Sequence, residues 1–203
     1  MQTPNNSMNA ILADERRTIR MGASVEEYLA LEEEHNAKYE FHNGEVVSMP
    51  GGTYEHSSLT ARIIGLLYKH LALSVQTEEI IVLSSDMRVN IPTYNRYVYP
   101  DITIVRGEPA FADAKRTQLL NPTVIIEVLS DSTADYDRSD KFEYYRSIAS
   151  LEEVVFFAQD RAHAELFRKN VHGRWEIVEI EHGIVELASV QANIRLAEIY
   201  PNA

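Results

Sequence analysis

The run TVIIEVL (residues 123–129) sets one carboxylate, Glu127, among apolar and β-branched neighbours. Burying an unpaired carboxylate costs several kcal/mol, so Glu127 requires a partner. A structural salt bridge satisfies a lone acid of this kind. Glu127 is accompanied, however, because in YVYPDITIV (residues 97–105) Asp101 follows a proline and heads a second apolar run. Two carboxylates on adjacent strands can share a hard divalent cation. Mg²⁺ or Mn²⁺ takes a few carboxylate oxygens and completes its shell with water and substrate phosphate. Acids in strands that otherwise carry no charge point to such a site more strongly as a pair than singly. Lys141, in DRSDKFEYY (residues 137–145), lies one helical turn after Asp137 and shares a face with Tyr144 and Tyr145. Near a metal-bound water a lysine orients the nucleophile or offsets charge developing on a phosphate. A solvated helix lysine is its ordinary alternative.

The elements that position these residues are legible from periodicity. Ser24 with Glu27 forms a capping box that predicts a helix from Val25 to His35, with Glu26, Glu27, Glu32, Glu33 and Glu34 on a solvated face. The Asn43-Gly44 turn predicts a hairpin, and apolar residues from Leu59 to Leu71 predict a long helix over residues 55–75, with His70 at the core edge. EEIIVL, DMRVNI, YVYPDITIV and TVIIEVL read as four strands, with Asp86 in a turn and residues 106–122 as a loop carrying Lys115 and Arg116. Asp137 reads as the cap of a helix reaching Ile148, and EVVFFA, HAELFRK and RWEIVEI as further strands, the last two a hairpin. The simplest architecture is α+β, with one central mixed sheet flanked by helices.

Composition bounds the function. At 203 residues, 45% hydrophobic and 25% charged, the chain fits one globular domain over residues 24–203, after a loose extension over residues 1–23. Nineteen Lys and Arg against thirty-one Asp and Glu leave a net charge of −12, which repels phosphate and anionic lipid and argues against a general nucleic-acid coat protein. With no cysteine, disulfides, thiolate catalysis and sulfur-ligated metals are excluded. The longest apolar runs, such as Ile63 to Leu67, are too short to span a bilayer, and no signal-peptide core is visible, so a cytoplasmic location without membrane contact is expected.

The ordered set Glu40 in YEFHNGE, His56 in YEHS, Asp101 in YPD, Glu127 in IIEVLS and Lys141 in DRSDKFEYY resembles the Uma-two family of endonucleases. That family falls within the PD-(D/E)XK restriction-endonuclease-like superfamily, and the match spans Ser24 to Pro201. The resemblance implies that Asp101 and Glu127 bind Mg²⁺ or Mn²⁺ and that Glu40 is an additional acid, for a second metal or for a water in the first ion's shell. The superfamily's usual lysine two positions after the second acid is absent, since Leu129 stands there. Lys141 matches the lysine that such family members supply from the following helix. His56 matches a family histidine that contacts the site or the scissile phosphate; a helix-start imidazole satisfying a nearby carboxylate is the other reading.

Metal-dependent hydrolysis of a phosphodiester, with DNA as substrate, is therefore the leading expectation, and a two-fold homodimer suits cutting of both strands. A nuclease-fold binding or assembly module with weak or no catalysis is the alternative, because fold does not establish function and the acidic balance opposes autonomous duplex binding. A hydrolase of smaller phosphates ranks third, since no glycine-rich phosphate cradle is present.

Overall fold

The computed structural model describes residues 17–49, 51–73, 78–129 and 134–201, with the side chains of all of these except 73, 134–137 and 139. In chain order, β1 (Thr18–Arg20) precedes α1 (Val25–His35), and β2 (Tyr39–His42) and β3 (Glu45–Ser48) form a hairpin. α2 (Tyr54–Leu73) is followed by β4 (Ile80–Ser84), β5 (Arg88–Ile91), β6 (Arg96–Val98), β7 (Ile102–Arg106), β8 (Gln118–Leu119) and β9 (Val124–Leu129). α3 (Ala134–Tyr145) leads into β10 (Glu153–Ala158), β11 (Ala164–Lys169) and β12 (Trp175–Ile180), and the described chain closes with β13 (Ile184–Leu187), β14 (Ala192–Arg195) and α4 (Leu196–Ile199).

Local chemistry accounts for the boundaries. The Glu27 amide donates to Ser24 Oγ (3.2 Å) while the Ser24 amide donates to Glu27 Oε2 (2.8 Å), closing the predicted capping box on α1. Asn36 in the left-handed region ends that helix. Asn43 and Gly44 both have positive φ, as a two-residue turn between right-twisted strands demands.

The fold is α+β, and its strands divide between two six-stranded sheets rather than forming one. The first has the order β1-β3-β2-β6-β5-β8 and the second β12-β11-β10-β9-β7-β4, with β13 and β14 as a separate pair. Both large sheets are mixed: β9 and β10 run parallel with α3 as the crossover between them, β5 and β8 run parallel, and the other pairings within them are antiparallel. The division falls inside YVYPDITIV. Pro100 has no amide hydrogen to donate to a ladder, so β6 ends in the first sheet and β7 begins in the second, with Asp101 just before β7.

The second sheet is covered on both faces. Leu59, Ile63 and Leu67 of α2 share one core with Ile102, Ile104, Val124, Ile126 and Val128. Tyr144 and Tyr145 of α3 share another with Val105, Ile125, Leu129 and Phe156. A third cluster, Tyr28, Phe41, Val46 and Tyr97, lies between α1 and the first sheet.

Other expectations need correcting. Thr18–Arg20 pair with β3, so part of the expected extension is a strand; residues 1–16 lie outside the described residues. α3 begins at Ala134, which puts Asp137 in its first turn rather than at its cap; the Asp137 side chain lies outside the described residues. Glu32 is not on the solvated face with the other four glutamates. It follows Tyr28 by four residues and so shares the inward face, where it pairs with Arg88 and accepts from the Tyr99 hydroxyl (2.8 Å) and the Tyr39 amide (2.9 Å). The hairpin β13–β14 and the short strand β8 lack a distinct sequence signal.

Candidate active site

A cavity of about 760 Å³ opens where the link between the two sheets meets the start of α2 and the middle of α3, and Glu40, His56, Asp101, Glu127 and Lys141 all line it. The sheet register explains why the two strand acids meet. Ile102 pairs with Ile126 in antiparallel register, and one step further Asp101 falls opposite Glu127, so both side chains leave the same face.

Each of these acids is held through one oxygen. Asp101 Oδ2 accepts from the Val128 amide (2.8 Å) and lies 3.1 Å from His56 Nε2. Glu127 Oε1 accepts from the Tyr145 hydroxyl (2.6 Å) and lies 3.1 Å from Lys141 Nζ. Lys141 and Tyr145 are four residues apart, so one face of α3 delivers both donors to one carboxylate oxygen. Among the described residues, Asp101 Oδ1 and Glu127 Oε2 carry no hydrogen bond.

Burial dominates the electrostatics. Glu127 is 3% exposed, and desolvation pushes its pKa up to about 7 against the opposing pull of Lys141, with the Asp101 charge adding to the rise. The hydrogen bond that His56 donates to Asp101 raises the pKa of His56 despite partial burial. Burial, reinforced by the Glu127 charge, takes the Tyr145 hydroxyl well above its usual range, so it stays a donor.

His56 sits in the first turn of α2, its amide capped by Thr53 Oγ1 (3.1 Å). A Cβ on Gly52 would lie 3.3 Å from His56 Nδ1, so a side chain there would press on the imidazole. Glu40, on β2 of the other sheet, is buried, with Oε2 3.1 Å from His42 Nε2. It lines the cavity but does not complete a three-acid cluster: among the described residues no three His, Asp or Glu side chains group closely enough to hold an ion by themselves. The donor set suits a hard cation that takes two carboxylate oxygens and fills its remaining positions with water or substrate.

Tyr145 was read from the sequence only as a neighbour of Lys141 on its helix face. Lys38, Tyr99 and Gln159 also line the cavity and carried no motif. Lys38 had one usable signal: two residues before Glu40, it falls on the same side of an extended chain.

A family model described as "Uma2: Putative restriction endonuclease" matches residues 25–197. The chain is 34% identical over 154 residues to the uncharacterised protein sll1609 of Synechocystis sp. (strain ATCC 27184 / PCC 6803 / Kazusa), spanning 76% of this chain and 85% of that protein. It is 31% identical over 179 residues to the uncharacterised protein slr1290 of the same organism, spanning 87% and 90%. In three dimensions it is similar to a structure described as a putative nuclease belonging to DUF820 from Anabaena variabilis ATCC 29413, with a TM-score of 0.71 at 13% identity over 88% of this chain and 98% of that one. That likeness shows a nuclease-like α+β fold. The chain belongs to the Uma2 family of restriction-endonuclease-like proteins.

Proposed function

We propose that the cavity is the active site of a divalent-metal-dependent nuclease that hydrolyses phosphodiester bonds of DNA. The observation that carries this reading is the arrangement of Asp101 and Glu127. Each spends one oxygen on protein donors and keeps the other without a hydrogen bond among the described residues, in one cavity and with a lysine alongside. A bound Mg²⁺ or Mn²⁺ would supply an acidified water and offset charge on the phosphate.

The chain's own groups do the rest. Asp101 and Glu127 would hold the cation through their remaining oxygens. Lys141, fixed at Glu127, orients the attacking water and stabilises the charge that builds on the phosphate in the transition state. His56, whose pKa is raised by its hydrogen bond to Asp101, donates a hydrogen bond to a phosphate oxygen. Glu40 would help to hold a second ion or a water at the cavity. Hydrolysis of both strands of a duplex would call for two such sites, which fits a two-fold dimer.

The test is nicking of supercoiled DNA by pure protein with Mn²⁺ or Mg²⁺. Wild-type protein is expected to nick, Asp101→Asn to lose at least two orders of magnitude in rate, and a chelator to stop the reaction. Absence of cleavage of every nucleic acid tested, together with unchanged metal binding in Asp101→Ala, would leave a binding or assembly module as the better reading.

A further inference from the structure

We infer that Lys38 forms a second anion subsite at the mouth of the cavity, binding a non-bridging oxygen of a phosphate that flanks the scissile one. The inference rests on the nuclease reading and deepens it, because it makes the substrate a polyanionic strand rather than an isolated phosphate ester.

Among the described residues, two lysines, Lys38 and Lys141, and one histidine, His56, line the cavity. His56 is committed to Asp101 and Lys141 to Glu127, both within the wall. The Lys141 side chain is 9% exposed, whereas that of Lys38 is 41% exposed, so Lys38 is the cation an incoming phosphate meets first. Its position is built. Nζ donates to the Ser85 carbonyl (3.1 Å) and to Asp86 Oδ1 (2.8 Å) in the β4–β5 turn, and lies 5.7 Å from the centre of the Tyr99 ring.

Tyr99 is itself fixed by charges that the hydrolytic step does not use. Its hydroxyl donates to Glu32 Oε1 (2.8 Å) and accepts from Arg88 Nε (3.0 Å), while Arg88 pairs with Glu32 and stacks between the Tyr28 and Tyr99 rings. This buried network of α1, β5 and the β6–β7 link has no partner in the acid cluster. It ends on the aromatic face beneath Lys38, which gives its desolvation cost a functional return: a rigid platform for one ammonium group at the cavity mouth.

Asp86 is the placeholder. Its side chain is 85% exposed, and an ion pair so open to solvent adds little stability, so a phosphate oxygen can displace it. A substrate contact therefore predicts opposite consequences for the two members of the pair, whereas a merely structural link predicts the same consequence for both.

The experiment measures binding of a fluorescently labelled DNA oligonucleotide to the full chain by anisotropy across a salt series, with Ca²⁺ as the divalent ion, and with melting curves confirming that each variant is folded. Lys38→Met is expected to raise Kd about tenfold and to lower the salt dependence by about one ion. Lys38→Arg should restore both. Asp86→Asn, which removes the competing carboxylate, is expected to bind at least as tightly as wild type. Wild-type Kd and slope in Lys38→Met, or equal weakening by both substitutions, would overturn the subsite and leave the nuclease reading standing. No binding of any DNA or RNA by wild-type protein would remove the nucleic-acid reading and the subsite with it.

Discussion

Glu127 is a carboxyl group whose ionisation is opposed by burial. Its folded-state pKa, about 7, stands above the ordinary carboxylate value of 4.5, so the native state takes up a proton that the unfolded chain releases. Native stability therefore falls as pH rises from about 4.5 to about 7. His56 acts in the same direction, since its raised pKa adds stability that is full below its ordinary value of 6.5 and lost above the folded value. In metal-free protein, denaturation by urea at pH 5 and pH 7.5 should show a stability drop that Glu127→Gln largely removes. Tyr145→Phe should cost about 1.5–3 kcal/mol through loss of a hydrogen bond to a charged group. It should also shift Mn²⁺ binding to higher pH, because the lost hydroxyl was lowering the pKa of Glu127. Isothermal titration across pH measures that shift.

The helices hold His56 near one end and Lys141 along one face, and their packing sets how accurately they do so. α2 carries His56 in its first turn and anchors through Leu59, Ile63 and Leu67. Ile63→Ala should lower stability by about 2–5 kcal/mol in denaturant titration. Ser24→Ala, which removes one half of the capping box on α1, should cost about 1 kcal/mol and leave metal binding unchanged. At this scale much was legible. The α1 bounds, the Asn43-Gly44 hairpin, α2 to within two residues and the β11–β12 hairpin all follow from periodicity, caps and turn residues. What escaped depends on partners distant in sequence. The inward turn of Glu32 needs Arg88 and Tyr99, and β8 is two residues long, too short to show a period. The split of YVYPDITIV was announced by Pro100, but that its halves enter different sheets is decided by which strands they pair with. The acids at 101 and 127 stood out because charge is rare in such runs, whereas Lys38 and Tyr145 looked like ordinary surface and core residues.

For the whole molecule the net charge of −12 and the acid-lined cavity belong together. On the proposed reading, phosphate arriving without a divalent ion meets a repulsive field at the cavity. DNA binding at moderate salt should therefore be poor in chelator and rise on adding Mn²⁺ or Ca²⁺, as anisotropy would report. Mn²⁺ at 100 times its Kd should stabilise the fold by about 2.7 kcal/mol, seen as a higher Tm, and Asp101→Asn should abolish the gain. No helix among the described residues is long and apolar enough to cross a membrane.

The crossing of the chain between sheets at Pro100-Asp101 has a kinetic consequence. Glu40 comes from one sheet and Glu127 from the other, with His56 and Lys141 on separate helices, so residues spread from 40 to 141 must be assembled before the cavity lining is complete. Contacts of such long sequence separation form late, after local helices and hairpins. During refolding, Mn²⁺ capture should lag behind recovery of far-ultraviolet circular dichroism. On the nuclease reading, a chain arrested with only one sheet formed would be harmless to DNA, since it would lack part of the proposed catalytic centre.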